Sequence, residues 1–229
     1  MTEQTDPATD ASGHRGRLRR RLIDNGPDAL LDHELVEYLL ALAIPRRDTK
    51  PMARKLLADF GGLGALLSAD SDTLLRSGAS ESVVAALKIA EASALRLLRT
   101  RIADRPILSD WQALRDYLHA DMAHRAIERV RVLHLNTRNA LIRDDLMSEG
   151  SIDQAAVHVR EVIRRAIDLG SAAIILVHNH PSGDPQPSRQ DIALTREIIA
   201  AGKPLGISVH DHIVVGTSGQ VSLRALGLL

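Results

Sequence analysis

The residues of this 229-residue chain with the clearest chemical promise are His178, His180 and Asp191. They sit in the string His178-Asn179-His180-Pro181 and, beyond a polar loop, in Ser188-Arg189-Gln190-Asp191. Side chains at i and i+2 of an extended segment project to one side, so two imidazoles spaced this way can converge on one ion. Ser188 follows Pro187 and opens a helical stretch, which makes it an N-cap and puts Asp191 in the first turn. The loop then folds that carboxylate back over the strand end as a third ligand. Two neutral imidazoles and one carboxylate around Zn²⁺ leave a fourth position for water, the open arrangement of catalytic zinc, and bring that water to a pKa of about 7. An H-x-H alone arises by chance, and S-x-x-D alone is a helix start signal; their joint spacing favours a metal. The same donors accept other first-row ions.

The strand that must carry the histidines is the continuous apolar run Ala172 to Val177, which reads as a central strand. Before it, Val159, Val162, Ile163 and Ala166 share one face of a helix that ends at Gly170. After the loop 179–187 a second helix runs to about Ala201, and Ile207 to Val215 reads as a last long strand. Upstream, Val130, Val132 and His134 alternate with Arg131, Leu133 and Leu135, and the turn-like 136–139 precedes a second short apolar run, which predicts a hairpin. From about His14 to Arg99 the period is helical, as in Leu30, Leu31, Leu35, Tyr38 and Leu39. The fold class is therefore α+β: a polar, flexible tail over residues 1–13, a helical domain over 14–100, a linker around Pro106 with the boundary near Arg105, and a mixed α/β domain over 105–229.

Composition removes several classes of function. With 29 Lys+Arg against 29 Asp+Glu there is no global basic footprint for nucleic acid. Zero cysteines exclude disulfide scaffolds, thiolate-bound zinc and thiol catalysis. An aromatic fraction of 2% argues against a base-stacking platform. No apolar run is long enough to span a bilayer, and the polar, acidic start is unlike a signal peptide, so a cytoplasmic protein with no membrane partner is expected. The dense basic run His14 to Arg21 can touch phosphates or pair with Asp24, Asp28, Asp32 and Glu34; pairing is the favoured reading.

The string H-x-H-P-x6-S-x-x-D is similar to the JAMM (MPN+) metalloprotease motif. The stretch HNHPSGDPQPS, with the later Asp211-His212-Ile213-Val214, resembles the RadC family of bacterial proteins from about His14 to the C-terminus. The resemblance implies a JAMM/MPN-type, cytidine-deaminase-like domain after a helix-hairpin-helix-like helical domain. It implies a zinc-dependent peptidase or isopeptidase acting on a peptide or protein, with one zinc on His178, His180 and Asp191 and with Ser188 as an oxyanion donor. It also calls for an upstream glutamate that handles the proton of the attacking water. Glu128, just ahead of the Val130 strand, fits best; Glu161 and Glu149 are the competitors. Within Phe60 to Leu97, which resembles the helix-hairpin-helix of RadC proteins, Gly78-Ala79-Ser80 departs from the expected G-hydrophobic-G. The alternative reading is a non-catalytic DNA-associated protein linked to repair or recombination. A nuclease is disfavoured, because such sites hold two ions with more carboxylates. For His210-Asp211-His212, strict alternation puts both imidazoles on one strand face without a third ligand, and structural hydrogen bonding is the expected role.

Overall fold

The computed structural model describes residues 7–102, 106–150 and 157–229. The chain divides into two compact units, Met1–Ser93 and Ala94–Leu229. The first unit holds α1 (Pro7–Asn25), α2 (Asp32–Ala43), α3 (Lys50–Phe60), α4 (Leu63–Ser68), α5 (Ser71–Arg76) and the start of α6 (Glu81–Ile102). Val36, Leu40, Leu56, Leu66, Leu74, Val83 and Leu87 form its core. Helices α4 and α5 are short, because the sequence stops and restarts the chain around them. Gly61, left-handed at φ 80°, ends α3, and Asp70 starts α5 by accepting the Thr73 amide at 2.8 Å. Helix α1 takes in residues 7–13 of the segment expected as tail, and residues 1–6 lie outside the described residues. In the basic run, Arg21 holds Glu34 in a two-pronged pair at 2.7 and 2.9 Å, whereas Arg17, Arg19 and Arg20 are exposed. No described helix is long and apolar enough to cross a membrane.

The second unit continues with the rest of α6, then α7 (Trp111–Met122), β1 (Glu128–Leu135), β2 (Leu141–Gly150), α8 (Val159–Asp168), β3 (Ala173–Asn179), α9 (Arg189–Gly202), β4 (Ser208–Gly216) and β5 (Gly219–Ser222). The division at Ser93 falls inside α6, ahead of the boundary expected near Arg105, since α6 runs on to Ile102, which packs in the second unit's core. The strands form a five-stranded mixed sheet in the order β2-β1-β3-β4-β5. Strand β3 pairs antiparallel with β1 and parallel with β4, and every one of its residues is buried, as its unbroken apolar run requires.

Alternation along β3 builds two cores. Ile175 and Val177 face α7 together with Leu133, Leu135, Ile213 and Val215. Ile174 and Leu176 face the other way, with Val132 and Val209, against Val162 and Ala166 of α8 and Ile198 of α9. Each fully buried Leu, Ile or Val contributes about 1.5–3 kcal/mol relative to an exposed one, so the two layers hold the sheet from both sides. His178 continues the even-numbered series and emerges on the α8–α9 face at the end of β3.

Candidate metal centre

One nitrogen each from His178 and His180 and one carboxylate oxygen of Asp191 lie within 4.8 Å of one another. His178 Nε2 is 2.9 Å from His180 Nε2 and 3.4 Å from Asp191 Oδ1, and His180 Nε2 is 3.8 Å from Asp191 Oδ2. His178 is 1% exposed, at the floor of the site, while His180 and Asp191 are half-buried at its mouth. The helix start supplies the third group. Ser188 Oγ accepts the Asp191 amide at 3.1 Å, and Asp191 Oδ2 accepts the Ser188 amide at 2.6 Å, a reciprocal capping box that leaves Oδ1 toward His178. Because the Ser188 hydroxyl is an acceptor in the cap, its own proton remains free to be donated.

Hydrogen bonds on the far side of each ring decide which nitrogen carries the proton. The His180 Nδ1 partner is the Asp184 carbonyl at 2.8 Å; a carbonyl only accepts, so Nδ1 bears the hydrogen and Nε2 presents a lone pair. Burial alone would raise the Asp191 pKa, but its interactions with the His178 and His180 rings prevail and hold the carboxyl far below the usual range. The His180 pKa is raised, chiefly by its hydrogen bond with Asp191, and Glu128 adds to the rise. Asp191 and Glu128 thus set two carboxylates beside the imidazoles, a combination that suits a cation.

Glu128 reaches this pocket through strand register. Val130 stands opposite His178, and continuing the antiparallel pairing by two residues sets Glu128 opposite His180 on the same face of the sheet. Asn179, fully buried between the two histidines, points the other way and clamps the start of β1. Its Oδ1 accepts the Arg129 amide at 2.9 Å, and its Nδ2 donates to the Ile127 carbonyl at 3.2 Å. The competing acids are engaged elsewhere. Glu161 takes Arg164 at 2.7 Å on the exposed side of α8, and Glu149 takes Arg129 at 2.8 Å.

The second His-x-His departs from the alternation expected for it. Ile174 pairs with Val209 but Ile175 pairs with Asp211, so His210 is an extra residue in β4, a β-bulge. The bulge inverts the parity beyond it. His212 turns onto the face of the cluster beside His178, Asp211 turns to the opposite face, and His210 leaves both to meet Asn139 Oδ1 at 2.6 Å. His212 Nε2 is 2.7 Å from His178 Nδ1, and burial pushes the His212 pKa down to about 3. Sequence reasoning missed His212, Thr195 and Asn179 as neighbours of the site; the signal for His212 was the Asp-His pair itself, masked by the assumption of an unbroken strand.

Residues 108–228 match the RadC-like JAB domain family. The chain is also 50% identical over 213 residues to a UPF0758 protein of Rhodobacter capsulatus, covering 93% of this chain and 100% of the relative. This chain belongs to the RadC family. A UPF0758 protein of Ruegeria pomeroyi is 47% identical over 217 residues, covering 94% of this chain and 97% of the relative. The RadC-like JAB domain match takes in β1, the loop 180–188 and all of α9, so the residues gathered at the cluster all belong to it. In this RadC family member the donor set suits a divalent cation. Zn–N bonds of about 2.0–2.1 Å separate neighbouring tetrahedral donors by about 3.3 Å. The His178 Nε2 separations of 2.9 Å from His180 Nε2 and 3.4 Å from Asp191 Oδ1 fall around that value, and the three donor atoms all lie within 4.8 Å of one another. Two ring nitrogens and a carboxylate oxygen that converge this closely are the donor types a divalent cation takes.

Proposed function

We propose that this protein is a zinc-dependent hydrolase of the JAMM type, cleaving an amide or isopeptide bond in a peptide or protein. The observation that carries the reading is the convergence of His178 Nε2, His180 Nε2 and Asp191 Oδ1 in one cluster beside Glu128. A zinc ion held by these three residues supplies Lewis acidity, polarising a carbonyl and bringing the pKa of water to about 7. Glu128 takes the proton of the attacking water and returns it to the leaving amine. The Ser188 hydroxyl, its acceptor side engaged by the Asp191 amide, donates to the oxygen on which charge develops. Loss of one such donor typically costs about 10²–10³ in kcat. The outer nitrogens of His178 and His180 are engaged by His212 and by the Asp184 carbonyl, which orients both rings toward the ion.

The test is a proteome-derived peptide library digested with the zinc-loaded full chain, with new N-termini read by labelling and mass spectrometry. New termini that vanish with chelator and with His178→Ala support the reading. No cleavage by zinc-loaded protein, together with salt-dependent binding to duplex DNA, would reject it in favour of a DNA-associated role.

A further inference from the structure

We infer that Thr195 and His212 are positioning residues: a hydrogen-bond chain running Asp191 carbonyl, Thr195 hydroxyl, His212, His178 fixes the tautomer that leaves His178 Nε2 as a metal donor. The inference rests on the metal site proposed above and assigns roles to two residues that do not touch the ion.

The direction of the chain follows from proton bookkeeping. Thr195 Oγ1 lies 2.5 Å from the Asp191 carbonyl oxygen, which can only accept, so the single hydroxyl proton goes there. The same oxygen is 2.6 Å from His212 Nδ1 and has only lone pairs left to offer, so His212 Nδ1 carries a hydrogen and donates it. In the tautomer so fixed the His212 hydrogen is on Nδ1 and its Nε2 is bare, facing the other imidazole. His178 Nδ1, at 2.7 Å, must then donate to that bare nitrogen. The only lone pair remaining on His178 is Nε2, the atom that faces His180 and Asp191.

Several features show that the chain is held in place by the fold. Thr195 stands one helical turn after Asp191 on α9, so the carbonyl that starts the chain belongs to the ligand residue itself. Thr195, His212 and His178 are each at most 2% exposed, so water does not compete for these bonds. The chain also requires the β-bulge at His210, since an unbroken strand would send His212 to the α7 face. The result is a ring fixed by an outer partner, the arrangement that metal-binding imidazoles generally need.

The experiment uses the full chain with Thr195→Val, Thr195→Ser, His212→Leu and His212→Gln, each checked for native circular dichroism. Zinc affinity is read by competition with a chromophoric chelator, and the His178 tautomer by long-range ¹H–¹⁵N correlation on histidine-labelled, metal-free protein at pH 8. The wild type is expected to show the His178 proton on Nδ1. Thr195→Val, nearly isosteric but without the hydroxyl, lets His212 adopt either tautomer, so part of His178 shifts to the Nε2–H form and zinc affinity drops about 10–100-fold. His212→Leu drops it comparably. Thr195→Ser restores the wild-type spectrum and affinity, and His212→Gln, which keeps an acceptor near the old Nε2, restores most of the affinity. An unchanged His178 spectrum in Thr195→Val, with zinc affinity within twofold of wild type, would overturn the inference and leave the proposed hydrolase standing. A wild type that binds no zinc would instead remove the hydrolase reading, while its spectrum would still decide the tautomer.

Discussion

At the scale of single residues the proposed roles fall on separate atoms. Glu128 contributes to no bond that holds the cluster together, so Glu128→Gln is expected to retain one equivalent of zinc and lose about 10²–10⁴ in kcat. Metal analysis alongside peptide turnover checks it, and undiminished turnover would remove Glu128 from the reaction. Its position depends on Asn179, whose amide ties Arg129 and Ile127 on either side of it. The three proposed ligands were legible in the sequence because they are local: an i, i+2 pair on a strand end and the N3 residue of the next helix obey spacing rules that need no tertiary knowledge. Glu128 was partly legible, as an acid ahead of a strand, but what sets it apart from Glu149 and Glu161 is strand register and the arginines those two meet. Asn179 was hidden in plain view, since its side chain leaves the motif it sits in.

At the scale of elements, the loop between β3 and α9 is what brings Asp191 to the histidines, and β4 holds that loop down. The His180 amide donates to the Val215 carbonyl at 2.9 Å, and the Ser218 amide and hydroxyl both donate to the Gly183 carbonyl, at 3.2 and 2.8 Å. The approach is close enough that a Cβ on Gly216 would stand 2.7 Å from the Gly183 carbonyl carbon, against backbone that cannot swing away. Gly216→Ala is therefore expected to destabilise by about 1–3 kcal/mol and, by lifting the loop, to weaken zinc binding at least tenfold. Thermal melts with and without zinc check both effects; an unchanged affinity would mean that the loop does not depend on this contact. The order β1-β2-α8-β3-α9-β4 was readable from periodicity, because β3 is apolar throughout and α8 and α9 present clear stripes, whereas α7 and the short β5 were not anticipated. The bulge in β4 was not, because an extra residue is a property of pairing with a neighbour, and the string Val-His-Asp-His-Ile alternates equally well without it. Helix α1 escaped over residues 7–13 for a related reason, its small polar residues having no apolar stripe to announce a helix.

At the scale of the molecule, metal and proton should act on the second unit in opposite directions. The single tryptophan, Trp111, lies in α7 against that unit's core, so its fluorescence reports this unit's unfolding. Zinc at about 100 times its Kd adds about 2.7 kcal/mol to the folded state, which for a protein of this size raises the melting midpoint by roughly 5–10 °C. His178→Ala should abolish that rise, and a rise that survives it would place the zinc elsewhere. Protons work through other groups, which a chelator isolates. Burial holds the His134 pKa below its ordinary value, with Arg165 adding to the depression and Asp145, 3.8 Å away, and Asp144 opposing it. Hydrogen bonding from Arg165 and Arg143 likewise outweighs burial and keeps Asp145 below the carboxylate norm. Both groups bind protons more readily once unfolded. Their stabilisation is complete above the unfolded pKa, about 6.5 for His and 3.9 for Asp, and is lost as pH falls toward the folded value. In chelator, the Trp111-detected midpoint is therefore expected to fall from pH 7 to pH 5. His134→Gln can still hydrogen-bond Ser171, the present Nδ1 partner at 3.0 Å, but cannot take up a proton, so its slope over that interval should be shallower. An equal slope in both proteins would shift the acid sensitivity away from His134.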